Sequence, residues 1–242
     1  MWPVKEFFCV TTVSVSDRKK GGKMLTDNNL CFPEGNSMKT PRLFALFMPG
    51  EMDTAVFEHL SSFVREYSRE RINGIKNRRS AQRSLVGELL AKVALNRVLS
   101  LPPDKLVFAR GRYGKPYLAN CPEAHFNISH SGDYIVCAVF DAPVGIDIQK
   151  TEEIDFSGVA KRAFTPAEAE VFALAPKGEE KRAFYEIWTK KESHIKFLGT
   201  GARDLRKEPD SRLIFDTCTL NDDYILSVCY MPQDNNRGFA EN

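Results

Sequence analysis

The sequence predicts an α+β fold made of two similar halves in one chain. Three observations point there. The 242 residues are 43% apolar, enough for a packed core in one large domain or two small ones. Asp133-Tyr134-Ile135 opens one apolar strand-like run, and Asp223-Tyr224-Ile225 opens another. Each of these runs closes a stretch that contains a long helix-period segment, so the short echo has a matching context.

Residues 1–40 are polar, contain Gly and Asn, and show no sustained periodicity. They read either as a disordered extension or as sequence upstream of a natural start at Met38. From Arg42 the pattern becomes regular. Leu43 to Met48 is a short apolar run ending at Pro49-Gly50, which reads as a strand and turn. Thr54 to Tyr67 carries Val56, Leu60, Phe63, Val64 and Tyr67 at helical spacing. A basic stretch from Arg65 to Arg83 follows. It leads into an amphipathic helix marked by Leu85, Val86, Leu89, Leu90, Val93, Leu95 and Val98.

After Pro102-Pro103 the runs shorten to strand length: 106–108, 125–128, 134–140 and 144–148. They are separated by Gly114, Pro116, Ser131-Gly132-Asp133 and Asp141-Ala142-Pro143. Thr165-Pro166-Ala167-Glu168 is a capping-box pattern with proline at the first helical position, predicting a helix over 166–174. A longer helix is predicted over 179–198. Strand-like 213–215 and 224–230 close the chain. The expected division is an extension over 1–40, a first half over 41–143, a second half over 144–231 and a tail over 232–242.

Composition narrows the function classes. The charged fraction of 27% with a net charge of +2 argues against disorder of the whole chain and against general nucleic-acid binding. No apolar stretch is long enough to span a bilayer, and the N-terminal run is short, broken by Thr and Ser, and followed by Arg18, Lys19 and Lys20 rather than a cleavage signal. No two of the six cysteines have zinc-knuckle or CxxC spacing, which favours a reducing compartment. A cytoplasmic protein that binds neither membrane nor nucleic acid is the expectation.

Five segments carry candidate chemistry. In Val144-Gly145-Ile146-Asp147-Ile148-Gln149 the alternation of a strand sends Val144, Ile146 and Ile148 to the core and Asp147 with Gln149 to the other side. Gly145 leaves room for a ligand or another backbone. Taken alone, this reads first as an ordinary half-exposed strand. In the segment Trp188 to Lys196, Trp188, Glu192 and Lys196 form one i, i+4, i+8 row beside a packed stripe of Phe184, Ile187, Lys191, Ile195 and Leu198. Alone, Glu192 and Lys196 are also readable as a surface ion pair. If Asp147 and Glu192 meet, two carboxylates suit Mg²⁺, whose remaining ligands are typically water and phosphate oxygens. Ser129-His130-Ser131 before Gly132 reads as a turn able to hold phosphate oxygens, or as a plain polar turn. Lys115, ahead of Pro116, is expected to project outward from a defined loop. Arg69, Arg71, Arg83 and Ser84 belong to the basic stretch, where a solvated face is the default.

Taken in order, these segments resemble the Sfp-type 4'-phosphopantetheinyl transferases. The matching pieces are YGKP at 113–116, HFNISHSG at 125–132, GIDIQK at 145–150 and WTKKESHIK at 188–196, with AQRSLVGELL at 81–90 similar to that family's first long helix. The resemblance covers roughly Pro41 to Tyr230. It implies a pseudo-dimer of two α+β halves, each a small, mostly antiparallel sheet packed with a long helix, and coenzyme A in the cleft between them. It implies that Asp147 and Glu192, with Gln149, bind Mg²⁺ and the pyrophosphate. Lys196 and His130 would contact the phosphates. Lys115, Ser129, Arg71, Arg83 and Ser84 would hold the 3'-phosphate end. Catalysis would fall to Glu192 as base, with Lys196 and His130, and the partner would be an acyl or peptidyl carrier protein in secondary metabolite biosynthesis. A monomer is expected. The family often has a glutamate where this chain has Gln149, a poorer ligand for a hard dication. The same carboxylates leave two alternatives: a metal-dependent nucleotide pyrophosphate hydrolase, or a non-catalytic module that binds coenzyme A and docks a carrier.

Overall fold

The computed structural model describes residues 10–13 and 38–232. The strands are β1 (Val10–Val13), β2 (Arg42–Phe47), β3 (Phe108–Arg110), β4 (Pro116–Leu118), β5 (His125–Ser131), β6 (Tyr134–Phe140), β7 (Val144–Lys150), β8 (Ile214–Leu220) and β9 (Tyr224–Tyr230). The helices are α1 (Thr54–Ser61), α2 (Glu66–Asn73), α3 (Arg78–Leu99), α4 (Phe156–Ala163), α5 (Pro166–Ala173) and α6 (Glu180–Leu198).

Two antiparallel sheets, ordered β1-β2-β6-β5 and β7-β9-β8, repeat one plan. In each half a strand is followed by a long helix and then by a closing hairpin. So β2, α3, β5 and β6 correspond to β7, α6, β8 and β9. Helix α3 packs on β6 and β5, and α6 packs on β7 and β9. The echo read from the sequence marks this repeat: Tyr134 and Tyr224 open β6 and β9, and their rings meet edge to face at 4.8 Å. The Tyr224 hydroxyl also accepts from the Asp133 amide at 3.0 Å. A Cβ on Gly132 would lie 2.3 Å from that hydroxyl, so the turn between β5 and β6 requires glycine at this position.

The sheets face one another through a shared core. Leu43, Ala45, Val136, Ala138 and Phe140 from one half pack with Val144, Ile146, Ile148, Leu226 and Val228 from the other. A second core lies beneath α3, where Val86, Leu90, Ala94, Leu95 and Val98 meet Phe44, Phe126, Ile135 and Cys137. Each large side chain buried this way contributes about 1.5–3 kcal/mol.

Several boundaries differ from expectation for local reasons. The helical stretch over 54–67 is two helices, α1 and α2. The break leaves the Phe63 carbonyl to accept from Lys92 Nζ at 2.6 Å, a long-range bond that local periodicity cannot show. Helix α4 is additional, capped by Asp155 on the Gly158 amide. The capping box at α5 is present in both directions. Strands β6 and β9 match their expected spans, while β8 extends to Leu220. The extension expected over 1–40 lies largely outside the described residues; within it, Val10–Val13 pairs antiparallel with β2 as an edge strand. The tail, beyond Pro232, also lies outside them. Among the described residues, Cys121, Cys137, Cys218 and Cys229 are free thiols, and no helix is long and apolar enough to cross a membrane.

Candidate active site

The site forms where β7 and α6 meet the edge strand β5. Helix α6 lies close on β7 because the facing residues are small: a Cβ on Gly145 would fall 1.9 Å from the Ser193 carbonyl and 2.4 Å from the Phe197 amide. Thr189 adds a 2.8 Å hydroxyl contact to Ser227 of β9. This tight face of Thr189 and Ser193 was not part of the expected apolar stripe, since neither residue is apolar. Of that stripe, Phe184, Lys191 and Ile195 are buried while Ile187 and Leu198 are half-buried. Lys191 is held by Glu168 at 2.7 Å. Trp188 stacks on Phe184 with centroids 6.0 Å apart.

Close approach brings the two acidic segments together. Asp147 points away from the core, as alternation predicts, yet it is 1% exposed because α6 and β5 cover it. Its Oδ1 accepts from Lys196 Nζ at 2.6 Å and from Ser129 Oγ at 2.8 Å, and its Oδ2 accepts from Gln149 Nε2 at 2.9 Å. Burial and the neighbouring Asp147 charge raise the Glu192 carboxyl above its ordinary range, while Lys196 and Lys191 oppose that rise. The Glu192 carboxylate forms no hydrogen bond or ion pair with any described residue. Two mutually repelling carboxylates, one without a donor, form a set that a divalent cation would relieve. Among the described residues there is no cluster of three or more acidic, His or Cys side chains. A pair of carboxylates with the Gln149 amide beside it still fits Mg²⁺, which takes few protein ligands.

Strand β5 runs through Ser131, so Ser129 and His130 sit on opposite faces of a strand rather than together in a turn. Asn127, Ser129 and Ser131 face β7. His130 faces a cavity of about 210 Å³ whose lining includes Tyr67, Arg71, Arg83, Ser84, Arg110 and His130. Arg71 donates to Ser84 Oγ at 2.9 Å, and the buried Nε atoms of Arg71 and Arg83 have no partner among the described residues. Burial and Arg110 lower Arg71; burial and Arg79 lower Arg83. His130 is exposed in the cavity wall, where partial desolvation, then Arg83 and Lys196, lower it. Glu88, 3.7 Å from Arg71, is the carboxylate in the cavity wall and offsets part of this charge; with Arg83 and Arg110 beside it the pocket keeps a cationic excess that an anion would satisfy. Arg110 was missed in the sequence, where it stands as a lone basic residue in a short strand; its place opposite Arg71 is a tertiary fact.

Lys115 does not project outward. Its ammonium turns into the protein and is pushed down to about 8 by burial. Nζ donates to the carbonyls of Val144 at 3.2 Å, Lys196 at 2.5 Å and Phe197 at 3.1 Å. The structure therefore gathers Asp147, Glu192, Gln149, Lys196 and Ser129 at one centre and Arg71, Arg83, Ser84 and His130 in the adjoining pocket. Lys115 is instead on the carbonyls of Val144, Lys196 and Phe197.

Comparison with known proteins accounts for this arrangement. Residues 51–141 match the family described as 4'-phosphopantetheinyl transferase, N-terminal, and residues 143–229 match the 4'-phosphopantetheinyl transferase superfamily. The chain belongs to the 4'-phosphopantetheinyl transferase superfamily. The matched boundary at 141–143 falls at the turn between β6 and β7, where the fold repeats. Among relatives, the 4'-phosphopantetheinyl transferase gsp of Aneurinibacillus migulanus is 39% identical over 154 residues, covering 64% of each chain. The 4'-phosphopantetheinyl transferase Sfp of Bacillus subtilis (strain 168) is 34% identical over 160 residues, 66% of this chain and 71% of that one. The mouse L-aminoadipate-semialdehyde dehydrogenase-phosphopantetheinyl transferase is 35% identical over 173 residues, 66% of this chain and 55% of the relative. The match thus spans from about half to somewhat over two thirds of these relatives' lengths.

Proposed function

We propose that this phosphopantetheinyl transferase superfamily member moves the 4'-phosphopantetheine arm of coenzyme A onto a serine of an apo carrier protein, releasing 3',5'-ADP. What supports the reading is one juxtaposition: the Asp147–Glu192–Lys196 centre adjoins a cationic pocket, with His130 electrostatically coupled to Arg83, Lys196 and Asp147. Coenzyme A has a pyrophosphate and a 3'-phosphate at its two matching points. Arg71, Arg83 and Ser84 would hold the 3'-phosphate end, and His130 and Lys196 the pyrophosphate.

The carrier serine oxygen attacks the β-phosphorus. A P–O bond to that phosphorus forms, and the bond from the phosphorus to the bridging oxygen breaks. The electron pair leaves with 3',5'-ADP. Glu192, its carboxyl raised by burial, accepts the serine proton. Lys196 donates to phosphate oxygens as charge develops there, a fixed electrostatic role. Mg²⁺ held by Asp147 and Glu192, with Gln149 beside them, would neutralise the pyrophosphate.

The reading extends to a monomer, because both halves of the cleft come from one chain. It extends also to a cytoplasmic setting, which the free cysteines favour. Acyl or peptidyl carriers of secondary metabolism would be steered by complementary charge.

The deciding experiment incubates the protein with an apo carrier domain, coenzyme A and Mg²⁺ and records the carrier's intact mass. Gain of one phosphopantetheine, abolished by a chelator, supports both reaction and metal. No gain with accumulating free nucleotide indicates pyrophosphate hydrolysis. No gain with coenzyme A still bound indicates a docking module.

A further inference from the structure

Two side chains that the resemblance assigns to the 3'-phosphate have their hydrogen-bonding capacity filled inside the protein. An ammonium has three donors, and those of Lys115 go to three carbonyls. One belongs to Val144 at the start of β7. The other two belong to Lys196 and Phe197 in the last turn of α6, where carbonyls lack intrahelical partners. The charge sits at the negative end of the helix dipole, and Lys115 forms no ion pair with a described carboxylate. A hydroxyl has one donor and two acceptor sites. Ser129 Oγ donates to Asp147 Oδ1 at 2.8 Å and accepts from Lys196 Nζ at 2.8 Å and from the Ile148 amide at 3.3 Å.

Ser129 is also the middle rung of a side-chain ladder. Asn127 Oδ1 accepts from the Ile146 amide at 3.0 Å, and Ser131 Oγ accepts from the Lys150 amide at 3.0 Å. The amides of β7 that face β5 are thus satisfied by side chains, not by a backbone ladder. Lys196 is consequently held from both ends: its carbonyl by Lys115, its ammonium by Ser129 and Asp147.

We infer that Lys115 and Ser129 are positioning residues that aim Lys196 and Asp147 across the seam between the halves, and that they do not bind the 3'-phosphate of coenzyme A. The inference rests on the proposed transfer reaction. Recognition of the 3'-phosphate then falls to the pocket of Arg71, Arg83 and Ser84, where the Nε donors of both arginines have no partner among the described residues.

The test compares Lys115→Met, Ser129→Ala and Arg83→Met. Each is assayed for transfer from coenzyme A and from 3'-dephospho-coenzyme A, and for binding of 3',5'-ADP and of 5'-AMP by calorimetry. Positioning predicts that Lys115→Met and Ser129→Ala lower kcat on both donors by on the order of 10- to 100-fold. The preference between donors, and the ratio of 3',5'-ADP to 5'-AMP affinity, stay within about 2-fold of the unaltered protein, too small to count as loss of a charged contact to the 3'-phosphate. Arg83→Met instead erodes the preference and the ratio. Collapse of either in Lys115→Met or Ser129→Ala overturns the inference. Should Lys115→Met not fold, Ser129→Ala, which removes a single oxygen, carries the same test. An unaltered protein that binds 3',5'-ADP without transferring would instead count against the proposed reaction, and the binding comparison would still decide the ligand role.

Discussion

The Lys196 ammonium lies 2.6 Å from the Asp147 carboxylate, joining the last turn of α6 to the middle of β7. The carboxylate is almost wholly enclosed while the lysine keeps 28% of its side chain exposed. Removing the lysine therefore leaves an enclosed charge with only the neutral donors Ser129 and Gln149. Lys196→Met is expected to destabilise the metal-free protein by about 3 kcal/mol, the low end of the range for breaking a buried pair because one partner is partly solvated. Added Mg²⁺ should recover part of the melting temperature but not turnover. Paired melts with and without Mg²⁺ read this directly, and a variant as stable as the parent would show that Ser129 and Gln149 suffice.

Gly145 sets the distance between β7 and α6. In Gly145→Ala the new methyl collides with backbone, which cannot rotate away. We expect a loss of about 1–3 kcal/mol or more in denaturant unfolding, together with reduced kcat, since both Asp147 and Glu192 depend on that spacing. Wild-type stability with wild-type kcat would refute this account of the glycine.

Glu192 is a strained ionisation. Its folded pKa is raised, so the folded protein binds this proton more tightly than the unfolded chain. The stability it contributes is complete below the unfolded carboxyl pKa and is lost as pH rises through the folded one. In chelator, Glu192→Gln should therefore melt above the parent at neutral pH, and the gap should close on acidification below the ordinary glutamate range. Mg²⁺ should reverse the order at neutral pH by stabilising only the parent. A gap independent of pH would contradict the assignment.

Gln149 and Asp147 are ranked by chemistry. The carboxylate is the better ligand for a hard cation, and Gln149 donates to it at 2.9 Å. Gln149→Ala should slow transfer less than Asp147→Ala does. Equal losses would make the amide an equal participant.

The legible parts of the fold were those encoded locally. The β6 and β9 runs, the α5 capping box and the α3 stripe depend on periodicity and cap chemistry within a few residues. The split of 54–67 into α1 and α2 was hidden because Lys92 of α3 supplies the donor for the freed carbonyl. Helix α6 and the buried Phe184, Lys191 and Ile195 of its stripe are legible in the sequence, but its close face on the sheet is not, because Thr189, Ser193 and Gly145 act by small size rather than by hydrophobicity.

By itself the sequence determined the long helices α3 and α6, the closing strands β6 and β9 with their repeated Asp-Tyr-Ile openings, and which acidic and basic side chains were candidates. Those follow from residue type and spacing along a single element. Only the tertiary structure decided that Asp147 and Glu192 share one electrostatic environment, that Arg110 joins Arg71 in the pocket, and that Lys115 turns inward onto the end of α6. Each joins elements far apart in the chain, where side-chain direction is set by packing between the halves. Local spacing carries no record of that packing.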